Sequence, residues 1–422
     1  MNNKLSYISK EEITRITSLE IDKINKTELI SLISRINTLY MINKAGSGHI
    51  GTSFSSMELL SYIFSEFQIT NQQNQNLFFS SKGHDAPAIY SIMTIFDLLD
   101  FEKIHQLRML DGLPGHPDVN TPGIITNTGS LGMGVSKAKG FIKSARMKGI
   151  NRNILVLLGD GELQEGQIWE SLRSASNESM SEMYIIVDNN KIQSDNWVNL
   201  TSDNGDLRLK FESFGCHVEE IDGHNLSEIY STFENLKSID DKPKVIIANT
   251  VKGYGVSFMH ADEKIREPDY EYPYHSGALS YEDYCKALLE LKKLLNSKLK
   301  NFGEREIVFE NYTKINESSN SSNVNLLENY SKLLLENANN SKMIVMDGDL
   351  MKDHGLTEFK RKFPTKYIEC GISEQDMVSQ AGTLALEEYI PIVHSFASFL
   401  TTRANEQIYN NATEKSKIVY VS

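Results

Sequence analysis

The chain has 422 residues, enough for two or three domains of about 150 residues each. Its 56 acidic side chains outnumber its 43 basic ones and give a formal net charge of −13. This balance argues against nucleic acid as the main partner, because a phosphate backbone is bound by a basic surface. The three cysteines have no metal-ligand spacing and are typical of reduced thiols in a cytoplasmic protein.

Secretion and membrane insertion are also disfavoured by the sequence. Residues 1–12 read MNNKLSYISKEE and lack the apolar core of a signal peptide. The longest apolar runs, such as Ile154–Leu158, are too short to span a bilayer. We therefore expect no membrane partner.

The first part of the chain predicts helices, followed by strands that alternate with helices. Residues 10–43 carry apolar side chains mostly at steps of three and four, and a Gly-rich break at 45–51 precedes another apolar helix over 56–67. Three continuous apolar runs of strand length follow, at Ile154–Leu158, Met183–Val187 and Val245–Ala248. Such runs are typical of parallel strands covered by helices on both faces. The predicted fold class is therefore α/β, with a doubly wound parallel sheet.

A shift in composition marks a second domain after a helix around 281–295. The stretch NYTKINESSNSSNVN is polar and contains a Ser/Asn cluster typical of a linker. A second α/β pattern follows, with helices over 326–338, 373–387 and 401–412 and strands over 343–346, 390–394 and 417–422. We predict a first domain over 1–300, a linker over 301–325 and a second domain over 326–422. The second domain is predicted to be partial, because a strand with no helix after it ends the chain.

The segment ILVLLGDGELQEG (154–166) is the most informative in the chain. A buried strand runs directly into Gly159-Asp160-Gly161, where glycines allow a tight turn and a close approach to a ligand. About 30 residues on, the next strand ends in Asn190-Lys191-Ile192, and adjacent parallel strands end at the same edge of a sheet. A carboxylate, an amide oxygen and a carbonyl can therefore meet on one hard cation such as Mg²⁺. Taken alone, Gly-Asp-Gly is equally compatible with a plain strand-to-helix turn.

Together with its neighbours, this pattern resembles the transketolase family. The matching segments follow the family's order: AGSGHIG (45–51), FFSSKGHDAPAIY (78–90), GLPGHPD (112–118), TGSLGMG (128–134), TVKGYGVSF (250–258), YIECGISEQDMV (367–378) and FASFLTTRANEQI (396–408). The resemblance implies an enzyme that uses thiamine diphosphate with Mg²⁺, or with Ca²⁺ or Mn²⁺. Its substrates would be sugars, and it would transfer a two-carbon ketol unit from a ketose donor to an aldose acceptor.

The resemblance also implies which residues bind the cofactor. The metal ligands would be Asp160, Asn190 and the Ile192 carbonyl. Contacts to the diphosphate, and further contacts to cofactor or donor, would come from Gly129, Ser130, Leu131, Gly161, Gln193, Lys252 and Lys82. Phe396 and Phe399 would flank the aminopyrimidine ring, although their spacing alone is also compatible with a packed core.

Five residues are implied in catalysis. Glu374 would hydrogen-bond the aminopyrimidine and stabilise its imino tautomer, which requires a carboxylate in a dry site. Outside its motif, Glu374 would be interpreted as an exposed acid at a helix start. His49, His84, His116 and His275 lie in loops bounded by Gly or Pro and would line the substrate channel and shuttle protons.

Two departures from the family's pattern concern substrate and assembly. Members that act on sugar phosphates carry an Arg and a Ser where this chain has Leu327 and the segment Lys352–His354. Because leucine cannot replace a bidentate phosphate contact, we hypothesise an acceptor without the usual terminal phosphate, specialised or nucleotide-linked. The resemblance also implies that the chain stops inside the family's second domain. In the family the first domain of one subunit meets the Glu374-bearing domain of another, so we expect a homodimer, or a heteromer with a chain that carries the remaining pyrimidine-binding and C-terminal domains.

Two other functions remain open. A carboligase like deoxyxylulose-phosphate synthase would share the cofactor, but GLPGHPD and the loop at 45–51 look more like transketolase. A non-catalytic regulatory or binding homologue would be expected to have lost Asp160, Asn190 or Glu374, which are intact. Activity that depends on a partner chain would separate these cases.

Overall fold

The computed structural model describes residues 3–67, 69, 75–261, 271–314 and 326–422. The strands in these residues are β1 Asn3–Tyr7, β2 Leu77–Ser80, β3 Ile154–Gly159, β4 Met183–Asn189, β5 Ile192–Gln193, β6 Asn196–Trp197, β7 His217–Asp222, β8 Lys244–Asn249, β9 Glu310–Lys314, β10 Met343–Asp347, β11 Tyr367–Glu369, β12 Ile390–His394 and β13 Val419–Val421.

The α-helices in the same residues are α1 Lys10–Thr17, α2 Lys23–Ala45, α3 Ile50–Ser55, α4 Met57–Glu66, α5 Ala86–Ile95, α6 Gly134–Met147, α7 Gly166–Asn177, α8 Val198–Thr201, α9 Leu207–Ser213, α10 Leu226–Leu236, α11 Tyr281–Asn301, α12 Leu326–Asn337, α13 Thr357–Lys362, α14 Glu374–Leu386, α15 Ala397–Arg403 and α16 Asn405–Thr413. Short 3₁₀ helices cover Phe101–His105, Gly161–Gln164, Ser257–Met259 and Pro364–Lys366. Within the described ranges, no helix has the length and apolarity to cross a membrane.

The first domain is built around a five-stranded sheet in which every pairing is parallel, in the order β2-β3-β4-β8-β7. Alternate side chains of β3 enter two cores. Leu155 and Leu157 join the core that contains α2, α4 and α5, whereas Val156 and Leu158 join the core that contains α6 and α7. Because both faces are buried, the strand is apolar at every position. The doubly wound α/β fold predicted from the sequence is confirmed.

The helical periodicity over 10–43 belongs to two helices rather than one. α1 ends at Thr17 and α2 begins at Lys23. Asp22 caps α2, with its carboxylate accepting the N–H of Asn25 at 3.0 Å. An aspartate at this position satisfies an N–H that has no partner inside the helix, which favours a new helix start there.

The N-terminal strand returns to the end of the first domain. β1 pairs antiparallel with β9, Tyr7 lying opposite Glu310, and the N–H of Ser6 donates to the Tyr284 hydroxyl at 2.7 Å. The sequence pattern predicts neither strand. β9 falls inside the predicted linker 301–325, so part of that stretch is a strand attached to the first domain, and 315–325 lie outside the described residues.

A second parallel sheet has the order β11-β10-β12-β13. One of its cores contains Leu334 of α12 and Phe359 of α13, and another contains Met377 of α14 and Leu400 of α15. The helix predicted over 401–412 is divided between α15 and α16, and the last predicted strand is shortened to β13 at the edge of the sheet.

Candidate active site

A cavity of about 570 Å³ lies at the carboxyl ends of β3 and β4, where loops of the second sheet approach the first. All of the predicted site residues line it: His49, Lys82, His84, His116, Gly129, Ser130, Leu131, Asp160, Gly161, Asn190, Ile192, Gln193, Lys252, His275, Glu374, Phe396 and Phe399. Residues from both ends of the chain therefore meet in one space.

Three oxygens predicted to bind a metal lie at the ends of β3 and β4. Asp160 is 3% exposed, and its Oδ2 accepts the N–H of Lys191. The side-chain oxygen of Asn190 accepts the N–H of Ile192 at 3.1 Å, and the Ile192 carbonyl accepts from Nζ of Lys252 at 3.1 Å. A carboxylate, an amide oxygen and a carbonyl are ligands that Mg²⁺, Ca²⁺ and Mn²⁺ prefer, so the donor set fits the predicted cation.

The backbone beside these oxygens is strained. Lys191 has a φ of 67° and Ser194 a φ of 31°, in the left-handed region that residues with a Cβ rarely adopt. Ile192 lies between them, so the direction of its carbonyl is fixed by the surrounding fold. Burial raises the pKa of Asp160 to about 6, and the Asp188 carboxylate adds to the effect. A bound cation would counter that shift, because it favours the ionised carboxylate.

The turn predicted to hold the diphosphate requires glycine. Gly129 has a φ of 98°, and a Cβ there would lie 2.7 Å from Cδ2 of His116. At Gly161 a Cβ would lie 2.6 Å from Cβ of Gln193. Backbone N–H groups at glycine can approach an anion closely because no side chain intervenes. The backbone at Gly129 and Gly161 therefore fits the predicted diphosphate.

The four predicted histidines form one cluster. The ring centroid of His49 lies 5.3 Å from that of His84, 5.2 Å from His275 and 6.0 Å from His116. Burial, with a contribution from His116, lowers the pKa of His49 to about 3, and burial holds the pKa of His84 and His275 well below its usual value. The His49, His84 and His275 rings are therefore neutral at pH 7. Among the described residues, Nδ1 of His49 has no hydrogen-bond partner, which leaves it available to a ligand.

Acidification is expected to destabilise the fold through these rings. An unfolded histidine has a pKa near 6.5, so at a pH between that value and the lowered pKa the unfolded chain binds more protons than the folded one. The free energy of unfolding should therefore fall as the pH falls from about 6.5 towards 3, by about 2 kcal/mol at pH 5 for His49 alone. Urea unfolding measured across this range checks the slope. His49→Gln should flatten this slope; a slope equal to that of the native chain would contradict the expectation.

Two buried lysines also line the cavity. Nζ of Lys82 lies 2.6 Å from Oδ2 of Asp188. Nζ of Lys252 donates to the carbonyls of Ile192 at 3.1 Å and Ser194 at 2.9 Å, and burial lowers the pKa of Lys252 to about 8. Both side chains are thus bonded to protein oxygens and hold the surrounding loops together.

An arginine to which the sequence assigned no role joins Glu374 to the first domain. Nη1 of Arg403 lies 2.6 Å from Oε2 of Glu374 and also contacts Oε1 of Glu165, while Nη2 donates to the Ser130 hydroxyl at 3.0 Å and the Leu131 carbonyl at 3.2 Å. Burial raises the pKa of Glu165; Arg403 opposes this effect and Glu374 adds to it.

The surroundings of Glu374 bear on its predicted role. The residue is 2% exposed, so its carboxylate has the dry surroundings that the role requires. Its Oε2 is bonded to Arg403, whose Nη2 reaches Ser130 of the first domain, so the second domain contacts the first domain next to Glu374. The only sequence signal for Arg403 is a cation within FASFLTTRANEQI.

Aromatic and acidic side chains of the second domain complete the wall. Phe396 is 41% exposed and its ring centroid lies 6.1 Å from that of Phe399, which favours a wall position over core packing. The guanidinium of Arg403 lies 5.1 Å from the centroid of the Phe399 ring. Asp353 also lines the cavity, whereas Leu327 lies outside it, against Gly355.

Known proteins resemble this chain in sequence and in fold. Residues 26–267 match a family described as "Transketolase, thiamine diphosphate binding domain", and residues 330–422 match "Transketolase, pyrimidine binding domain". The 6-deoxy-6-sulfo-D-fructose transketolase subunit SqwG of Clostridium sp. (strain MSTE9) is 35% identical over 263 residues, which cover 61% of this chain and 92% of that protein.

Longer proteins match over most of the chain. Human transketolase is 28% identical over 401 residues, covering 91% of this chain and 62% of the human protein. The crystal structure of a transketolase from Campylobacter jejuni superimposes with a TM-score of 0.55 at 23% identity, covering 95% of this chain and 69% of that one. The chain therefore spans about two thirds of the length of these longer relatives.

Proposed function

Because the chain belongs to the transketolase family, we propose that it transfers a two-carbon ketol unit from a ketose donor to an aldose acceptor with thiamine diphosphate and Mg²⁺. The observation that carries this proposal is one cavity lined by Asp160, Asn190, Ile192 and Glu374. The oxygen set comes from the first sheet and the buried carboxylate from the second domain. A reaction that needs both groups explains why the two domains meet at this place.

The residues of the cavity fit the proposed cofactor. Asp160, Asn190 and the Ile192 carbonyl would bind Mg²⁺, or Ca²⁺ or Mn²⁺ in its place, and the backbone at 129–131 and Gly161 would bind the diphosphate. Phe396 and Phe399 would flank the aminopyrimidine through ring contacts, with Gln193, Lys82 and Lys252 nearby. When bound, thiamine diphosphate supplies the nucleophilic carbon and the electron sink for breaking a carbon–carbon bond.

The remaining side chains would control protons and orient the sugar. Glu374 would hold a proton at the aminopyrimidine ring, and its burial keeps water from competing for that proton. His49, His84 and His275, being neutral, can donate to one sugar oxygen and accept from another. His116, the more exposed ring, would contact the substrate at the cavity mouth.

We also propose that the chain works in the cytoplasm within a larger assembly, with domains at 1–300 and 326–422. The relatives from Clostridium and from Actinobacillus succinogenes are both named as transketolase subunits. Their names support an assembly of more than one chain, and we propose a homodimer, or a heteromer with a chain that carries the remaining pyrimidine-binding and C-terminal domains.

The acceptor is proposed to lack the usual terminal phosphate. Asp353, in the segment where the family's phosphate-binding serine is expected, lines the cavity and would repel a phosphate. The ammonium groups of Lys82 and Lys252 and the guanidinium of Arg403 are already bonded to protein oxygens. These features of the described cavity wall support an acceptor without the usual terminal phosphate, either a specialised or a nucleotide-linked sugar.

A transfer assay tests both the reaction and this preference. With one ketose donor throughout, the chain, tested alone and with a chain carrying the remaining domains, should use an unphosphorylated aldose acceptor with a kcat/KM at least about tenfold above that for the phosphorylated acceptor. Asp353→Ser should lower the ratio of kcat/KM for the unphosphorylated acceptor to kcat/KM for the phosphorylated one. Equal efficiency would contradict the preference, use of pyruvate as donor would favour a carboligase, and no transfer under any condition would contradict the proposed reaction.

A further inference from the structure

A buried polar chain outside the cavity ends on the backbone next to Lys252. Nη1 of Arg35, on α2, lies 2.5 Å from Oε1 of Glu58, on α4. Oε2 of Glu58 lies 3.0 Å from Nδ1 of His224, and the N–H of Val251 donates to Nε2 of His224 at 2.8 Å. None of Arg35, Glu58 and His224 lines the cavity that holds the candidate site.

The direction of these hydrogen bonds fixes the state of the His224 ring. Because the Val251 N–H is a donor, Nε2 must be the acceptor and carry no proton. The proton is therefore on Nδ1, from which it is donated to Glu58. Arg35 balances the charge of Glu58 with two guanidinium contacts, the second at 2.6 Å, so a buried carboxylate is available to hold one tautomer.

The same histidine also holds the segment from the other side. The ring of Tyr254 stacks on that of His224, with centroids 3.5 Å apart and planes within 10° of parallel. Gly253, between Tyr254 and Lys252, has a φ of 80°, and its N–H donates to the carbonyl of Gly51 at 3.0 Å. The backbone on both sides of Lys252 is thus fixed by bonds and by stacking.

We propose that Arg35, Glu58 and His224 are positioning residues for Lys252. With Val251 fixed, the buried Lys252 side chain reaches the Ser194 carbonyl and the Ile192 carbonyl, and the latter is one of the oxygens proposed to bind the metal. Loss of the Val251 hydrogen bond would weaken the contact of the Lys252 ammonium with those carbonyls, although its contact with Nδ1 of His275 at 3.1 Å would remain. This proposal rests on the proposed function in one respect, that the cavity which Lys252 faces binds the cofactor. The contacts that position Lys252 do not depend on which reaction takes place there.

Two replacements separate the two ends of the imidazole. His224→Gln can place an oxygen near the position of Nε2 and still accept the Val251 N–H. His224→Asn can place an NH₂ group near Nδ1 and keep only the Glu58 contact. If His224 positions Lys252 through the Val251 N–H, Lys252 should lose its fixed position in His224→Asn and largely keep it in His224→Gln.

Lysine acetylation read by peptide mass spectrometry tests this without any enzymatic activity. Lys252 is 2% exposed in the native chain, so its reaction with acetic anhydride should be slow and should rise about tenfold in His224→Asn, the factor expected for one lost hydrogen bond. It should stay near native in His224→Gln. Lys82, an equally buried lysine bonded to Asp188 on another loop, is the internal control. An equal rise at Lys82 and Lys252 would mean general loosening, and no rise at Lys252 would mean no positioning; either result overturns the proposal.

Cofactor titration of the same proteins connects the geometry to the site. Thiamine diphosphate with Mg²⁺ should bind His224→Asn about 10–100-fold more weakly than the native chain, as for loss of an outer-shell contact. Adding that change to Lys252→Met should weaken binding no further. If the loss of affinity in the double variant equalled the product of the two single losses, His224 would act independently of Lys252. If the native chain itself binds no cofactor, the proposed function fails, while the acetylation result still decides the positioning.

Discussion

Asp160→Ala should abolish the metal-dependent binding of thiamine diphosphate while the chain remains folded. Asp160 supplies the one charged oxygen of the proposed metal set, next to the neutral oxygens of Asn190 and Ile192. A neutral oxygen pair alone cannot offset the cost of stripping water from a divalent cation. We expect the apparent affinity for thiamine diphosphate with Mg²⁺, measured by calorimetric titration, to fall by at least about 100-fold. Loss of a residue that only supports a metal ligand costs up to about 100-fold, so loss of a ligand itself should cost at least that much.

Two further variants, Asp160→Asn and Asp353→Asn, test whether the lost affinity comes from this one ligand. Asp160→Asn keeps an oxygen but no charge, so its affinity should lie between those of the native chain and of Asp160→Ala. Asp353→Asn removes a carboxylate of the same cavity that lies outside the oxygen set and should bind normally. Native affinity in Asp160→Ala would mean that the cation is held elsewhere. An equal loss in Asp353→Asn would mean that the total charge of the cavity, and not one ligand, governs binding.

Glu374→Gln should abolish transfer with little effect on cofactor affinity. Glutamine has nearly the same shape and can keep the contact with Ser395, but it can neither carry the charge nor take the proton that the role of Glu374 requires. General acid–base contributions of this kind are typically about 10²–10⁴-fold, and we expect a loss of kcat in that range. Exchange of the thiazolium proton in D₂O, followed by NMR, gives a readout before any sugar reacts and should slow by a similar factor.

Asp376→Asn is the matched control for this variant. Asp376 lies two positions further along α14, is exposed and hydrogen-bonds Gln380. Native exchange and transfer are expected in that variant. If Glu374→Gln exchanged the proton at the native rate, the carboxylate would have no part in proton transfer, and its contact with Arg403 would have to be interpreted as purely structural.

Local patterns predicted the first domain well because its main sheet is parallel and buried. Strands β3, β4 and β8 are covered on both faces, so each is a continuous apolar run that can be identified without knowing its neighbours. The ends of β3 and β4 also carry the metal-binding candidates, since adjacent parallel strands end at one edge. That these candidates lie close together follows from the adjacency of the two strands.

Contacts that depend on how distant segments dock could not be predicted in this way. Arg403 reaches Glu165 across 238 residues, and the carboxylates it joins become close only when the two domains meet. The pairing of β1 with β9 joins two polar strands with no apolar alternation to mark them. The break between α1 and α2 is marked by local side-chain hydrogen bonds, among them that from the N–H of Asn25 to Asp22, which compete with a continuous helical pattern.

The pairing of β1 with β9 has a consequence for biosynthesis. Tyr7 leaves the ribosome 303 residues before its partner Glu310. At about 5–20 residues per second, the first strand waits roughly 15 to 60 seconds for the segment that pairs with it. Until then the segment that forms β1 has no strand to pair with, and unpaired strands are a kind of surface on which chains associate wrongly. A bulky tag fused ahead of Asn3 would therefore be expected to disturb the completion of the first domain more than the fold of its central sheet.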